Sequence, residues 1–142
     1  MFSKIRGLFS DVKRAMSSSA VDVTAHALAW AVYADGTADD KELASAQKFV
    51  ERSEKLANVR SAFIKAFDAR LDAWEDSPRQ SRVQAKREIE AFAKGASQED
   101  KEDLLIAMLD LFESDKNFDD DEKAVAQEVS TMLGLGDYTK LM

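Results

Sequence analysis

Two acidic segments stand 80 positions apart, Asp35-Gly36-Thr37-Ala38-Asp39-Asp40-Lys41-Glu42 and Asp115-Lys116-Asn117-Phe118-Asp119-Asp120-Asp121-Glu122. Superposing them pairs Asp35 with Asp115, Asp39 with Asp119, Asp40 with Asp120 and Glu42 with Glu122. Both contain Asp-x-x-Glu, the spacing of a capping box. The Asp carboxylate can accept the backbone N–H three residues on, while the Glu carboxylate reaches back to the Asp N–H, so a helix begins there. An apolar helical run precedes each segment and another follows. The chain must therefore turn between two helices at both places, which predicts two pseudo-repeated helix-turn-helix halves in one all-α bundle.

The rest of the chain agrees with a bundle of about seven helices. One Pro and five Gly among 142 residues leave few helix breakers, and the length suits a single domain with a core of its own. Residues 21 to 34 are apolar nearly all round, with Leu28, Trp30, Val32 and Tyr33, and should be central. A helix opening at Asp40 should bury Leu43, Ala46, Phe49 and Val50. From Asn58, the residues Val59, Phe63, Ile64, Phe67, Leu71 and Trp74 form one stripe at helical spacing. Ser77-Pro78 marks a further start, because Ser is a good N-cap and Pro at the first helical position needs no donor. That helix should run to about Lys94 and lie outside, with a thin face of Val83, Ile89, Phe92 and Ala93. Gly95 is an expected left-handed stop and Ser97 a cap for a second central helix carrying Leu104 to Phe112. The last helix should bury Val125, Ala126, Val129, Met132 and Leu133, ending in a Schellman turn at Gly134-Leu135-Gly136. The division expected is a basic amphipathic helix or tail over residues 1–19 and a helical domain over 20–142. Two divergent copies are too few for a solenoid.

Charge narrows the partners. The net charge is −7, yet residues 1 to 19 set Lys4, Arg6, Lys13 and Arg14 against Asp11, a balance of +3 that leaves −10 on the remainder. A body this acidic repels phosphate backbones, so nucleic acid is not an expected partner, while cations and basic protein patches are. In the first segment Phe2, Ile5, Leu8, Phe9, Val12 and Met16 recur at steps of three and four beside a basic face. Two readings of Phe2, Ile5, Phe9 and Val12 stand together: docking on the bundle, or contact with a partner helix or an anionic membrane surface. Charges within the segment argue against a signal peptide. The uncharged stretch from residue 23 to 34 is too short to span a bilayer. The absence of Cys excludes disulfides and thiolate chemistry and is compatible with the expected cytoplasmic setting, peripheral to a membrane if the first segment binds one.

No Walker loop, dinucleotide fingerprint or zinc motif is present, and His26, the single His, has no triad partner in sequence, so the chain reads as non-enzymatic. Alternating Asp115, Asn117, Asp119 and Asp121 invite comparison with a calcium loop. Counting from Asp115, however, position 6 is Asp120 where Gly is required and position 12 is Ala126 where Glu is required. No cofactor is demanded, but oxygen-rich turns can take a divalent cation, calcium or magnesium or manganese, by other geometries. The candidate metal ligands are Asp35, Asp39, Asp40 and Glu42 in the first turn and Asp115, Asp119, Asp120, Asp121 and Glu122 in the second. Helix capping alone accounts for Asp39, Glu42, Asp119 and Glu122, leaving Asp35, Asp115, Asp120 and Asp121 for another explanation.

The run Ser114-Asp115-Lys116-Asn117-Phe118-Asp119-Asp120-Asp121-Glu122-Lys123 resembles the S-D-G-N-F-D-D-D-E-K stretch of the tellurite-resistance TerB family, and Ala34-Asp35-Gly36 followed by Asp39 to Glu42 looks like the other half of its pattern. The resemblance implies an all-helical fold of two related halves. It also implies a role in tellurite and chemical-stress resistance, protein partners in membrane-linked assemblies, and metal-related acidic motifs at the positions named above. Lys116 departs from the pattern, setting a cation where the family has Gly. The alternative reading is a structural interaction protein, or a component of a larger phage or virion assembly, that docks through its first helix.

Overall fold

The computed structural model describes Met16, residues 18–115 and residues 118–142. It is all-α: α1 (Val21–Val32), α2 (Asp40–Arg52), α3 (Arg60–Asp76), α4 (Pro78–Gly95), α5 (Gln98–Ser114) and α6 (Asp120–Met132), with 3-10 turns at Ser18–Ala20, Glu54–Val59 and Tyr138–Leu141. Six of the seven expected helices are present. The seventh, with Phe2, Ile5, Phe9 and Val12, lies outside the described residues. Among the described residues no helix is long and apolar enough to cross a membrane.

Helix α1 is the axis of the bundle. Ten of its twelve residues are buried, and it packs against all five other helices. Its alternating alanines, Ala25, Ala27, Ala29 and Ala31, keep the surface low, so neighbouring helices can approach on every side. Leu28 and Trp30 fill the gaps between them. Helix α5 is the second buried element and carries Leu104 to Leu109, Leu111 and Phe112 into the core. Helix α3 adds Phe63, Phe67, Leu71 and Trp74 at steps of four, four and three, one stripe in which Phe63 stacks on Phe67 at 5.9 Å and Trp74 on Tyr33 at 5.6 Å.

The connections explain where expectation and structure part. The chain does not enter α3 at Asn58: a 3-10 stretch runs to Val59, and Arg60 at the helix start donates to the Val50 and Ser53 carbonyls. Those acceptors belong to the frayed end of α2, so Arg60 closes that end while opening its own helix. A buried ion pair, Lys55 to Asp103 at 3.3 Å, ties the same connection to α5. Gly95 is not a left-handed stop. It remains helical, and the chain leaves through extended Ala96 (φ −80°, ψ 151°) because Ser97 must be extended to cap α5. Ser77 makes no side-chain cap, although Pro78 does occupy the first turn of α4. Val83 is exposed, not part of the α4 face. Ser81, Ala85 and Ile89 form that face at successive steps of four, and a residue two places from Ser81 points away from it. The Schellman ending is present: Gly134 has φ 74°, Gly134 N–H bonds Thr131 O at 3.0 Å and Leu135 N–H bonds Ser130 O at 2.9 Å.

Leu28→Ala should lower unfolding stability in urea by about 3 kcal/mol, because the gap lies between packed helices, whereas Val83→Ala should change it by less than about 0.5 kcal/mol.

Candidate cation site at the acidic turns

Both capping boxes form. Asp39 accepts the Glu42 N–H at 2.8 Å and donates its own N–H to Glu42 Oε1 at 3.0 Å. Asp119 and Glu122 repeat the pair at 2.9 Å in each direction. The helices they open, α2 and α6, each have 13 residues, and both of their ends are offset by 80, so the repeat read in sequence is a repeat in structure. In the first turn Gly36 takes φ 97° and donates to Tyr33 O at 2.8 Å, while Asp35 accepts from the Thr37 N–H at 3.0 Å. A Cβ at Gly36 would meet nothing within 4 Å, so the backbone conformation alone calls for Gly. The second turn is held by an apolar clasp, with Phe118 stacked on Phe112 at 5.2 Å and edge-on to Tyr138 at 5.8 Å. Its counterpart in the first turn is Ala38. The expected crowding by Lys116 falls outside the described residues, as does Asn117.

The two turns meet. Helices α1 and α5 end side by side, so Glu42 and Ser45 of α2, Asp115 at the end of α5 and Glu122 of α6 all line one cavity of about 20 Å³, backed by Ala31 and Phe112. That is room for about one water-sized occupant. The four polar residues are half-buried. Burial pushes the Glu122 acid up from its ordinary 4.5 to about 7; the carboxylates of Asp119, Asp115 and Glu42 add to the rise, and the Asp119 N–H bond opposes it. Glu42 and Glu122 thus serve as caps and as cavity walls at once.

The remaining candidates are placed elsewhere. Asp35 and Asp121 line a second cleft, of about 430 Å³, opposite Arg79 and Arg82. Asp40 and Asp120 are exposed in the first turns of α2 and α6, where they favour the positive ends of the helix dipoles. Among the described residues no three of His, Asp and Glu are grouped closely enough to hold a metal ion. Ser45, the Phe118 clasp and the sharing of one cleft by Asp35, Arg79 and Arg82 are not legible along the chain. One signal was available: α4 opens with cations where α2, α5 and α6 open with acids.

The raised Glu122 acid carries a stability sign. A carboxyl whose folded pKa lies above its unfolded value holds its proton more tightly in the folded chain, so the contribution of Glu122 to stability is full below about 4.5 and is lost as pH rises through about 7. Glu122→Gln mimics the protonated form and keeps the acceptor for Asp119. Discounted for solvent screening, it should stabilise the fold by on the order of 1 kcal/mol at pH 8 and leave it unchanged at pH 4, read by urea unfolding.

No match was found among curated proteins or among solved structures. The family model described as Tellurite resistance protein TerB matches residues 21–139, which takes in all six helices and both acidic turns. The chain belongs to the TerB family.

Proposed function

We propose that this TerB-family chain is a non-enzymatic binding module whose two acidic turns act as one site for a cation. The observation that carries the reading is the shared cavity, where Glu42, Asp115 and Glu122 from both halves of the repeat line one space with no cation among its described lining residues. Burial first, and then the neighbouring carboxylates, disfavour the charged form of Glu122, and a positive group placed there offsets both. The carboxylates do not by themselves make a metal cage, which favours a partly hydrated divalent ion or the ammonium or guanidinium tip of a basic partner. In this reading the stress-resistance role implied by the family is an adaptor role, exercised through partners.

Cation binding and Glu122 ionisation are linked. A bound cation favours the carboxylate, so affinity should fall as pH drops through about 7. Thermal melts with calcium, magnesium or manganese chloride at about 10 mM, and with an arginine-rich peptide, should show a larger rise in Tm at pH 8 than at pH 6. Glu42→Gln with Glu122→Gln should abolish the rise. If neither the ions nor the peptide moves the melt or the Glu42 and Glu122 amide resonances, the cation reading is wrong.

One observation supports the alternative of a structural interaction protein or assembly component. Met16 is buried, and its N–H bonds Lys55 O at 3.1 Å, which fixes the residue that follows the stretch bearing Phe2, Ile5, Phe9 and Val12 in sequence. Removing residues 1–15 should then abolish assembly or vesicle binding while leaving the melt of the body unchanged. Unaltered sedimentation and vesicle binding would remove this alternative.

A further inference from the structure

On the side of α1 away from its acidic end, a cleft of about 550 Å³ opens between α1, α3 and α4. Its size is in the range of small-molecule sites. Its apolar lining is alanine: Ala25 of α1 is buried at its base, Ala66 of α3 is half-buried, and Ala62 and Ala69 of α3 lie at its exposed rim. The three on α3 fall at steps of four and three, on one face of the helix. Large side chains at these positions would fill the space. The charged walls are divided by helix: Lys65 and Arg70 stand on α3, with Asp22 on α1 and Glu88 on α4.

His26 lies among these groups. It is 8% exposed, lines the cleft, and has no hydrogen bond to any described residue. Its ring nitrogens are not among the sealed, unpartnered atoms of the core, so its polar edge reaches the cleft. Burial first and the Arg70 charge second hold the imidazole below its ordinary 6.5, while Glu88 and Asp22 pull it upward. At neutral pH the ring is therefore uncharged, with one donor and one acceptor available.

We propose that this cleft binds a small zwitterion of the aliphatic amino-acid class. Its carboxylate sits at Arg70 and Lys65, its ammonium faces Asp22 and Glu88, and its apolar body lies on the alanines. A plain anion would leave Asp22 and Glu88 repelling it, and a plain cation would meet Arg70 and Lys65 in the same way. A zwitterion satisfies both walls, and His26 supplies a neutral hydrogen bond between them. The site is independent of the acidic turns, so it stands or falls apart from the cation reading.

His26 is the only imidazole in the chain, so its ring protons give one unambiguous NMR reporter inside the cleft. Titration of the full chain with L-leucine should shift these signals saturably with Kd on the order of 1 mM. The two half-ligands, 4-methylpentanoate without the ammonium and isoamylamine without the carboxylate, should each bind at least about tenfold more weakly. Arg70→Gln and Glu88→Gln should each weaken leucine by a similar factor, with thermal melts reporting that the variants fold. No His26 shift by about 50 mM leucine overturns the proposal. So does a response to 4-methylpentanoate equal to that of leucine, which would make the cleft a simple anion site. The half-ligand comparison uses the unaltered protein and does not depend on either variant folding.

Discussion

Burial of α1 is the constraint on which the rest depends. A helix that is apolar nearly all round is stable in water only when sheathed, and here every other helix contributes part of the sheath. Helices α3, α4 and α6 need only one apolar stripe each, and their opposite faces carry the charge. The alanines of α1 govern how closely the sheath can approach. Because α1 packs along α5 with the two C-terminal ends together, the turns that follow them emerge at the same place.

That juxtaposition changes what the acidic residues are. Each capping box is a local device complete within four residues, and either would form on an isolated pair of helices. Bringing the two together sets Glu42, Asp115 and Glu122 around a space of about 20 Å³, where they repel one another and where burial raises the Glu122 pKa to about 7. The Asp39 and Asp119 N–H groups hold the Glu42 and Glu122 carboxylates in position despite the repulsion. A local helix-starting signal has become part of a charged site through the packing of its neighbours.

The two halves are alike in their helices and differ in how their turns are held. The first turn depends on a left-handed Gly36 and on Asp35 bonded to Thr37, the second on Phe118 clasped between Phe112 and Tyr138. The short C-terminal 3-10 turn that carries Tyr138 therefore braces the second turn. Helix α1 meanwhile serves two regions, its C-terminal end at the acidic cavity and its N-terminal half, through Asp22, Ala25 and His26, at the alanine-lined cleft.

Sequence alone determined the six described helices, both capping boxes, the central places of α1 and α5, the Schellman ending and the family. All of these rest on interactions between residues within a few positions of one another, or on periodicity along a single helix. It could not determine that Val83 faces solvent, because a thin amphipathic stripe on α4 admits more than one orientation until Ser81, Ala85 and Ile89 meet a neighbour. Nor could it sort the candidate acids other than the caps Asp39 and Asp119. Glu42, Asp115 and Glu122 gather at one cavity, Asp35 and Asp121 at another cleft, and Asp40 and Asp120 stay on the surface. Those assignments depend on the side-by-side ends of α1 and α5 and on the rotation of α6 about its axis, which are set by core packing between residues far apart in the chain.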